Sequence, residues 1–212
     1  MAQGTGRRDS LSQGGTIERV RLHELATSIA FLGRRRRVYA RIAGLSGARP
    51  GDQVLDVGCS GGYLARLLAA AVAPGGQVTG IDPSAPALAY AQRRSPGNCS
   101  FSPGVAQRLN VPDCSLDVVT STLAVHHIPR QEWPAAFREM YRVLRPGGRL
   151  LVADFRPSGR RLALHSGGHA LRHHDPAPIA DLAAAAGFDI TGHGDLPLLR
   201  YVQAVRPDGV AR

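Results

Sequence analysis

The sequence predicts an α/β fold: a mostly parallel sheet with helices on both faces. Three observations carry that prediction. From residue 53 onward, apolar runs of strand length alternate with apolar patterns at helical spacing. Glycine and proline clusters punctuate the junctions, as at 48–52, Pro74-Gly75-Gly76 and Arg145-Pro146-Gly147-Gly148. The chain has 212 residues and 43% hydrophobic content, enough for one well-cored α/β domain with a small extension. Strands joined through helices run parallel, and helices then cover both faces.

Taken in order, residues 1–15 are rich in Gly, Ser and Arg and read as a disordered tail. Residues 16–46 hold two helical patterns separated by Gly33 and read as an N-terminal helical lid; residues 47–212 form the domain proper. Ile17, Val20, Leu22, Leu25 and Ile29 are the apolar positions of the first pattern, and Val38, Tyr39, Ile42 and Leu45 those of the second. Strands follow at 53–57, 77–81, 100–103, 116–121 and 149–155, with helices near 63–72, 85–94 and 131–144 between them. The 156–175 segment is basic, rich in glycine and histidine, and irregular. A helix near 177–186 ends at Gly187, and 188–191 and 199–205 are the last two strands. In such sheets ligands bind beyond the C-terminal strand ends, near the point where strand order reverses.

Composition narrows the partners. The formal charge is +10, carried entirely by arginine, since the chain has no lysine. Such a surplus suits an acidic substrate, an anionic membrane surface or RNA. Its densest stretch is Arg34-Arg35-Arg36-Arg37, read either as a solvated helix face or as a contact to an anionic ligand. No run of eighteen apolar residues is present, so no membrane span is expected. The polar N-terminus does not resemble a secretory signal, which points to the cytoplasm. Cys59, Cys99 and Cys114 lack metal or redox spacing and read as packing residues or neighbours of a cofactor. No metal site is expected.

The chemistry concentrates after the first two strands, in Asp56-Val57-Gly58-Cys59-Ser60-Gly61-Gly62 and Gly80-Ile81-Asp82-Pro83-Ser84. A glycine turn there lets backbone approach a ligand closely. A carboxylate at the second strand end can accept hydrogen bonds from both hydroxyls of a ribose. The pair therefore predicts a nucleoside-containing cofactor. Asp56, beside the loop, would repel a pyrophosphate and suits a cation such as an ammonium or sulfonium group, which favours S-adenosylmethionine over a dinucleotide.

On these residues the sequence resembles the class I S-adenosylmethionine-dependent methyltransferases, most closely small-molecule members of the ubiquinone/menaquinone-biosynthesis type. The resemblance covers roughly residues 34–206. It rests on VLDVGCSGGYLARLL, VTGIDPS, SLDVVTSTLAVHHIP and EMYRVLRPGGRLLVADF, in order and at the usual spacings, and on AAAAGFDI and YVQAVRP near the end. It implies a Rossmann-like seven-stranded sheet whose last strand is antiparallel, a cofactor that leaves as S-adenosylhomocysteine, and a small-molecule methyl acceptor. Asp56, Gly58, Cys59, Ser60 and Gly62 would form the methionine loop. Asp82 would hold the ribose, with Pro83 packing near the adenine. Val105 and Ala106 would lie beside the adenine edge, and Ser121, Thr122 and Leu123 would close the pocket below the methionine. Monomer and homodimer both fit.

Two positions depart from the family pattern. Ser60 stands where the middle loop glycine is usual, so the turn is expected to survive with adjusted geometry. Val105 stands where an acidic residue commonly accepts the adenine amino group. A hydrogen bond of that kind is worth about 0.5–1.5 kcal/mol net.

Methyl transfer needs alignment first and a base only where the nucleophile must lose a proton. His126, His127 and Asp154 are the candidate catalytic residues; the competing reading makes the His pair pocket-lining and Asp154 a cap on backbone donors. Tyr39, His165 and His169 are candidate substrate contacts, against a packed helix face for Tyr39 and a solvated loop for the histidines. Three functions compete: a small-molecule methyltransferase, an RNA or protein methyltransferase, and a non-catalytic S-adenosylmethionine-binding protein. Aromatic content of 5% and the absence of a separate RNA-binding module weigh against the second.

Overall fold

The computed structural model describes residues 33–156 and 178–208. The tail at 1–15, the first helical pattern, and His165, His169, His173 and His174 lie outside the described residues.

Helix α1 (Arg35–Leu45) leads into β1 (Gln53–Val57), α2 (Tyr63–Val72), β2 (Gln77–Asp82), α3 (Ala85–Arg94), β3 (Cys99–Pro103) and β4 (Leu116–Thr122). Two single 3-10 turns, Val125–His127 and Arg130–Glu132, precede α4 (Trp133–Val143). Then come β5 (Leu144–Phe155), α5 (Ile179–Ala185), β6 (Asp189–Leu196) and β7 (Leu199–Val205). The seven strands lie in the order β3-β2-β1-β4-β5-β7-β6. All neighbours from β3 to β5 pair in parallel, while β7 runs antiparallel to both β5 and β6. The expected fold class is therefore the observed one, including its antiparallel last strand.

Strand alternation divides the core. In β1, Val54 faces the layer containing α1 and α2, with Ile42, Leu64 and Leu68; Leu55 and Val57 face the layer of α4 and α5, with Phe137, Met140 and Ala183. In β5, Leu151 and Ala153 join the first layer, and Leu150 and Val152 the second. Both central strands are buried on both faces along most of their length: β1 carries Val54, Leu55 and Val57, and β4 buries Thr120 and Ser121 beside Val118 and Val119. Order reverses between β1 and β4, which places the ligand-binding crevice of such a sheet at their C-terminal ends.

Two strand boundaries differ from the sequence expectation by more than one residue. β5 begins at Leu144, so Arg145-Pro146-Gly147-Gly148 lies inside it. The register shifts there, with Leu116 opposite Leu144 and Val118 opposite Arg149. Gly147 takes φ +74° and its N–H donates to the Arg206 carbonyl at 2.8 Å, so the helix stop becomes a bulged strand start. β6 extends to Leu196 because its Gly-His-Gly-Asp residues form a polar edge strand, a composition that reads as a turn in sequence.

Candidate active site at the strand ends

The loop after β1 is built on backbone geometry. Gly58 and Gly62 sit at φ +74° and +72°, and a Cβ on Gly58 would lie 2.3 Å from that of Ala124. Ser60 also takes the left-handed region, at φ +46°. The turn thus survives without glycine at that position, as expected. Gly62 starts α2 and packs on Ala91 and Phe101 rather than lining a cavity.

Asp82 fastens this loop. The Ser60 N–H donates to its Oδ2 at 2.9 Å and the Ser84 N–H to its Oδ1 at 2.8 Å. Each carboxylate oxygen retains acceptor capacity for a hydroxyl. Asp56, at the end of β1, is buried, and Thr120 Oγ1 of β4 donates to its Oδ1 at 2.9 Å. Burial pushes its carboxyl up to about 7; the Thr120 hydrogen bond opposes the rise and the nearby Asp82 charge adds to it.

Two cavities flank the loop and share Gly58, Ser60 and Leu123. The larger, about 450 Å³, runs past Asp82 to the segment after β3. Its walls include Ile81, Pro83, Val105, Ala106, Ile128 and Pro129, and its size is ordinary for a small-molecule site. The smaller, about 60 Å³, is lined by Asp56, Cys59, Thr122, Tyr63 and, from α1, Arg35 and Tyr39. The segment after β3 is held by α4: Glu139 Oε2 accepts from the Leu109 N–H at 2.7 Å, and Arg142 donates to the Leu109 and Val111 carbonyls at 2.9 Å each. The same guanidinium holds the Glu139 carboxyl below its usual range.

The candidate catalytic residues meet. Asp154 is buried at the end of β5 and accepts from the His126 N–H at 3.0 Å and the Phe155 N–H at 2.7 Å. Its Oδ1 also lies 2.7 Å from His126 Nδ1. It therefore caps backbone donors and orients a histidine at once. A carboxylate partner places the proton on Nδ1 and leaves Nε2 as the acceptor of the neutral ring. His127 packs against His126 with ring centroids 4.0 Å apart and planes tilted by 43°, and it lines the larger cavity.

Other expectations fare differently. Ser121 is buried in β4 and lines neither cavity, whereas Thr122 and Leu123 do. Tyr39, expected at the substrate, packs edge-to-face on Tyr63 beside the β1 loop, with centroids 5.1 Å apart. Cys59 and Cys99 are buried, and burial raises both thiols, Cys99 to about 11. Cys114 is exposed in a turn at φ +50°, which corrects its reading as a packing residue. No group of three or more His, Cys, Asp or Glu among the described residues forms a metal site. Sequence reading missed Gln107 and Pro129 as wall residues, since nothing in their spacing marks them, and it did not separate Arg35 from its neighbours.

A glycine loop at the sheet's reversal point, between two strand-end carboxylates, agrees with the site that the resemblance to class I S-adenosylmethionine-dependent methyltransferases implies. Residues 54–148 match the model of the family described as methyltransferase domain. The chain also resembles the C-methyltransferases of ubiquinone/menaquinone biosynthesis. It is 39% identical over 123 residues to the "Ubiquinone/menaquinone biosynthesis C-methyltransferase UbiE" of Ectopseudomonas mendocina, a match covering 56% of this chain and 47% of that protein. The chain spans about half the length of the curated relatives it matches. Among solved structures, a SAM-dependent methyltransferase from Aquifex aeolicus aligns with TM-score 0.72 and 16% identity over 91% of this chain and 99% of its own. The [4+2]-cyclase SpnF aligns with TM-score 0.67 and 23% identity over 82% and 81%. These likenesses establish the fold, and the second shows that the fold does not dictate one reaction.

Proposed function

We propose that the chain transfers the methyl group of S-adenosylmethionine to a small phenolic or enolic acceptor, a class suggested by the quinone pathway in its relatives' names. The single observation that carries this reading is the pair of strand-end carboxylates, Asp56 and Asp82, flanking a glycine loop at the junction of two cavities. The residues fit the cofactor: Asp82 faces the larger cavity where a ribose would lie, and Asp56 faces the smaller one where a cationic amino-acid end would lie. When bound, the cofactor supplies an electrophilic methyl on a sulfonium. The chain's own part is alignment, exclusion of water by the apolar wall, and removal of one proton from the acceptor.

That proton goes to His126. Asp154 fixes its tautomer and stabilises the imidazolium that forms, while His127 lines the cavity beside it. The acceptor gains a methyl and loses a proton, and S-adenosylhomocysteine leaves. The setting we propose is cytoplasmic, in keeping with three unpaired cysteines; among the described residues no helix is long and apolar enough to cross a membrane.

The test is release of S-adenosylhomocysteine with a panel of quinols lacking a ring methyl. Asp154→Asn should lower kcat about 10²- to 10⁴-fold, the usual range for a general base, while leaving S-adenosylhomocysteine affinity nearly unchanged. Turnover undiminished in that variant would exclude the His126–Asp154 pair as the base.

A further inference from the structure

His126, the base proposed above, lines neither cavity. Its side chain is 15% exposed and is held by Asp154 at the end of β5. An acceptor that gives this ring a proton lies beyond the space assigned to the cofactor, over the ends of β5 and β7. Strand pairing decides which side chains stand there. Arg200 of β7 is opposite Asp154, and Asp195 of β6 is opposite Arg200. Opposite residues in a ladder project from one face, with Cα atoms about 4.5–5.5 Å apart. Arg156 comes two residues after Asp154, and its N–H extends the ladder by donating to the Leu198 carbonyl at 3.0 Å.

Two guanidiniums share one carboxylate here. Arg200 Nε donates to Asp195 Oδ1 at 3.0 Å, and Arg156 Nη1 lies 3.7 Å from Asp195 Oδ2. The Arg200 hydrogen bond, with both positive charges, holds the Asp195 carboxyl below its ordinary range, so it is ionised. Asp154 is engaged elsewhere: its oxygens take the His126 N–H, the His126 ring and the Phe155 N–H. The Arg156 and Arg200 side chains are 47% and 51% exposed, and each guanidinium carries more donors than Asp195 can accept. Beside them Phe155 is 42% exposed, its ring centroid 4.9 Å from that of His126. Asp154 and Arg156 stand about 7 Å apart along the strand. A benzene ring with a hydroxyl and a carboxylate at opposite positions covers such a span.

Resting on the transferase reading above, we propose that the methyl acceptor is an aromatic acid whose carboxylate is bound by Arg156 and Arg200 while its hydroxyl meets His126. Guanidinium and carboxylate match as a two-point, charge-assisted pair. The exposed ring of Phe155 gives the acceptor ring an apolar surface to lie against. Asp195 holds the two guanidiniums together and competes with the substrate for them. The carboxylate takes no part in bond making; it sets the register of the ring. The hydroxyl loses its proton to His126, and its oxygen or the adjacent ring carbon takes the methyl as the bond from that methyl to sulfur breaks.

The experiment measures S-adenosylhomocysteine release with phenols offered in pairs, each as the free carboxylate and as its methyl ester. The wild-type chain should favour the acids in kcat/KM by roughly 10- to 100-fold, the weight of a charged hydrogen-bonding pair. Arg200→Gln should raise KM for the acids about 10-fold, with most of the effect in KM and far less on the esters. Asp195→Asn should do the reverse and lower KM for the acids about 2- to 5-fold, because it removes the competing carboxylate. A merely structural ion pair would make both variants fail alike, on acids and esters together. That result, or a wild-type chain with no preference for the acids, overturns the assignment. Arg156→Gln carries the same comparison if the Arg200 variant does not fold. A chain that binds S-adenosylhomocysteine but methylates no phenol in either form overturns the transferase reading itself, and the assignment with it.

Discussion

The two ends of the strand-end crevice are made of opposite materials. Toward α1, the cavity is small and charged: Asp56, Arg35 and the loop backbone line it, with Tyr39 and Tyr63 around the guanidinium. Toward β3, it is large and mostly apolar, walled by Ile81, Pro83, Val105, Ile128 and Pro129. Asp82 lines the second end and holds Ser60, which borders both. Low-dielectric surroundings make each polar contact at the first end strong and each unmatched one costly. Contacts at the second end depend on shape and tolerate exchange. Discrimination among ligands should therefore reside at the α1 end.

The contrast can be broken most forcefully at its centre. Asp82→Ala removes the acceptor of two loop N–H groups along with the ribose contacts proposed for it. S-adenosylhomocysteine affinity should fall by about 100-fold or more in calorimetric titration, since several hydrogen bonds to one charged group are lost together. A loss under about 5-fold would mean that neither end depends on this carboxylate.

A smaller effect sharpens the polar end through pH. Burial keeps Asp56 protonated in the folded chain up to about 7, against an ordinary value of 3.8. Between those values the folded state binds more protons than the unfolded one, so this group's contribution to stability falls as pH rises. The shift corresponds to a loss on the order of 4 kcal/mol between pH 4 and pH 7. A bound ammonium favours the ionised carboxylate, so S-adenosylhomocysteine affinity should rise roughly 10-fold from pH 6 to pH 8, with a proton released on binding. Asp56→Asn should flatten both profiles, the first in thermal melts and the second in titrations repeated across buffers.

The smallest effect belongs to the apolar end. Val105→Asp supplies an acceptor at the cavity rim, where Val105 is 38% exposed. It should improve S-adenosylhomocysteine affinity about 2- to 10-fold and weaken binding of the hypoxanthine analogue, whose carbonyl replaces the amino group. The wild-type chain should distinguish the two bases by less than about 3-fold. Strong wild-type preference for adenine would show that backbone groups of the 104–107 segment read the base.

The same division runs through what the sequence disclosed. The β1 loop was legible because a tight turn demands specific residue types: Gly58 and Gly62 have positive φ, and nothing larger than hydrogen fits at Gly58. Asp82 was legible from its place after an apolar run. Arg35 was not separated from three neighbours of identical chemistry, although Val38, Tyr39 and Ile42, at three, four and seven positions beyond it, carried the phase that buries it. The wall residues Gln107 and Pro129 left no mark, because residues of these types acquire a role only through the folded placement of the segments after β3 and β4. β5 and β6 were shortened for a related reason: glycine signals a turn in sequence, but a ladder of backbone bonds can carry it inside a strand.

The bonds from Ser60 and Ser84 to Asp82 have one more consequence. They join the first two strand-end loops within the chain itself, so the ordering of that stretch is completed when the protein folds. A nucleoside arriving there meets a surface already in its final shape. Association should then be governed by diffusion and orientation, with residence time set by how well the ligand replaces water on a rigid template.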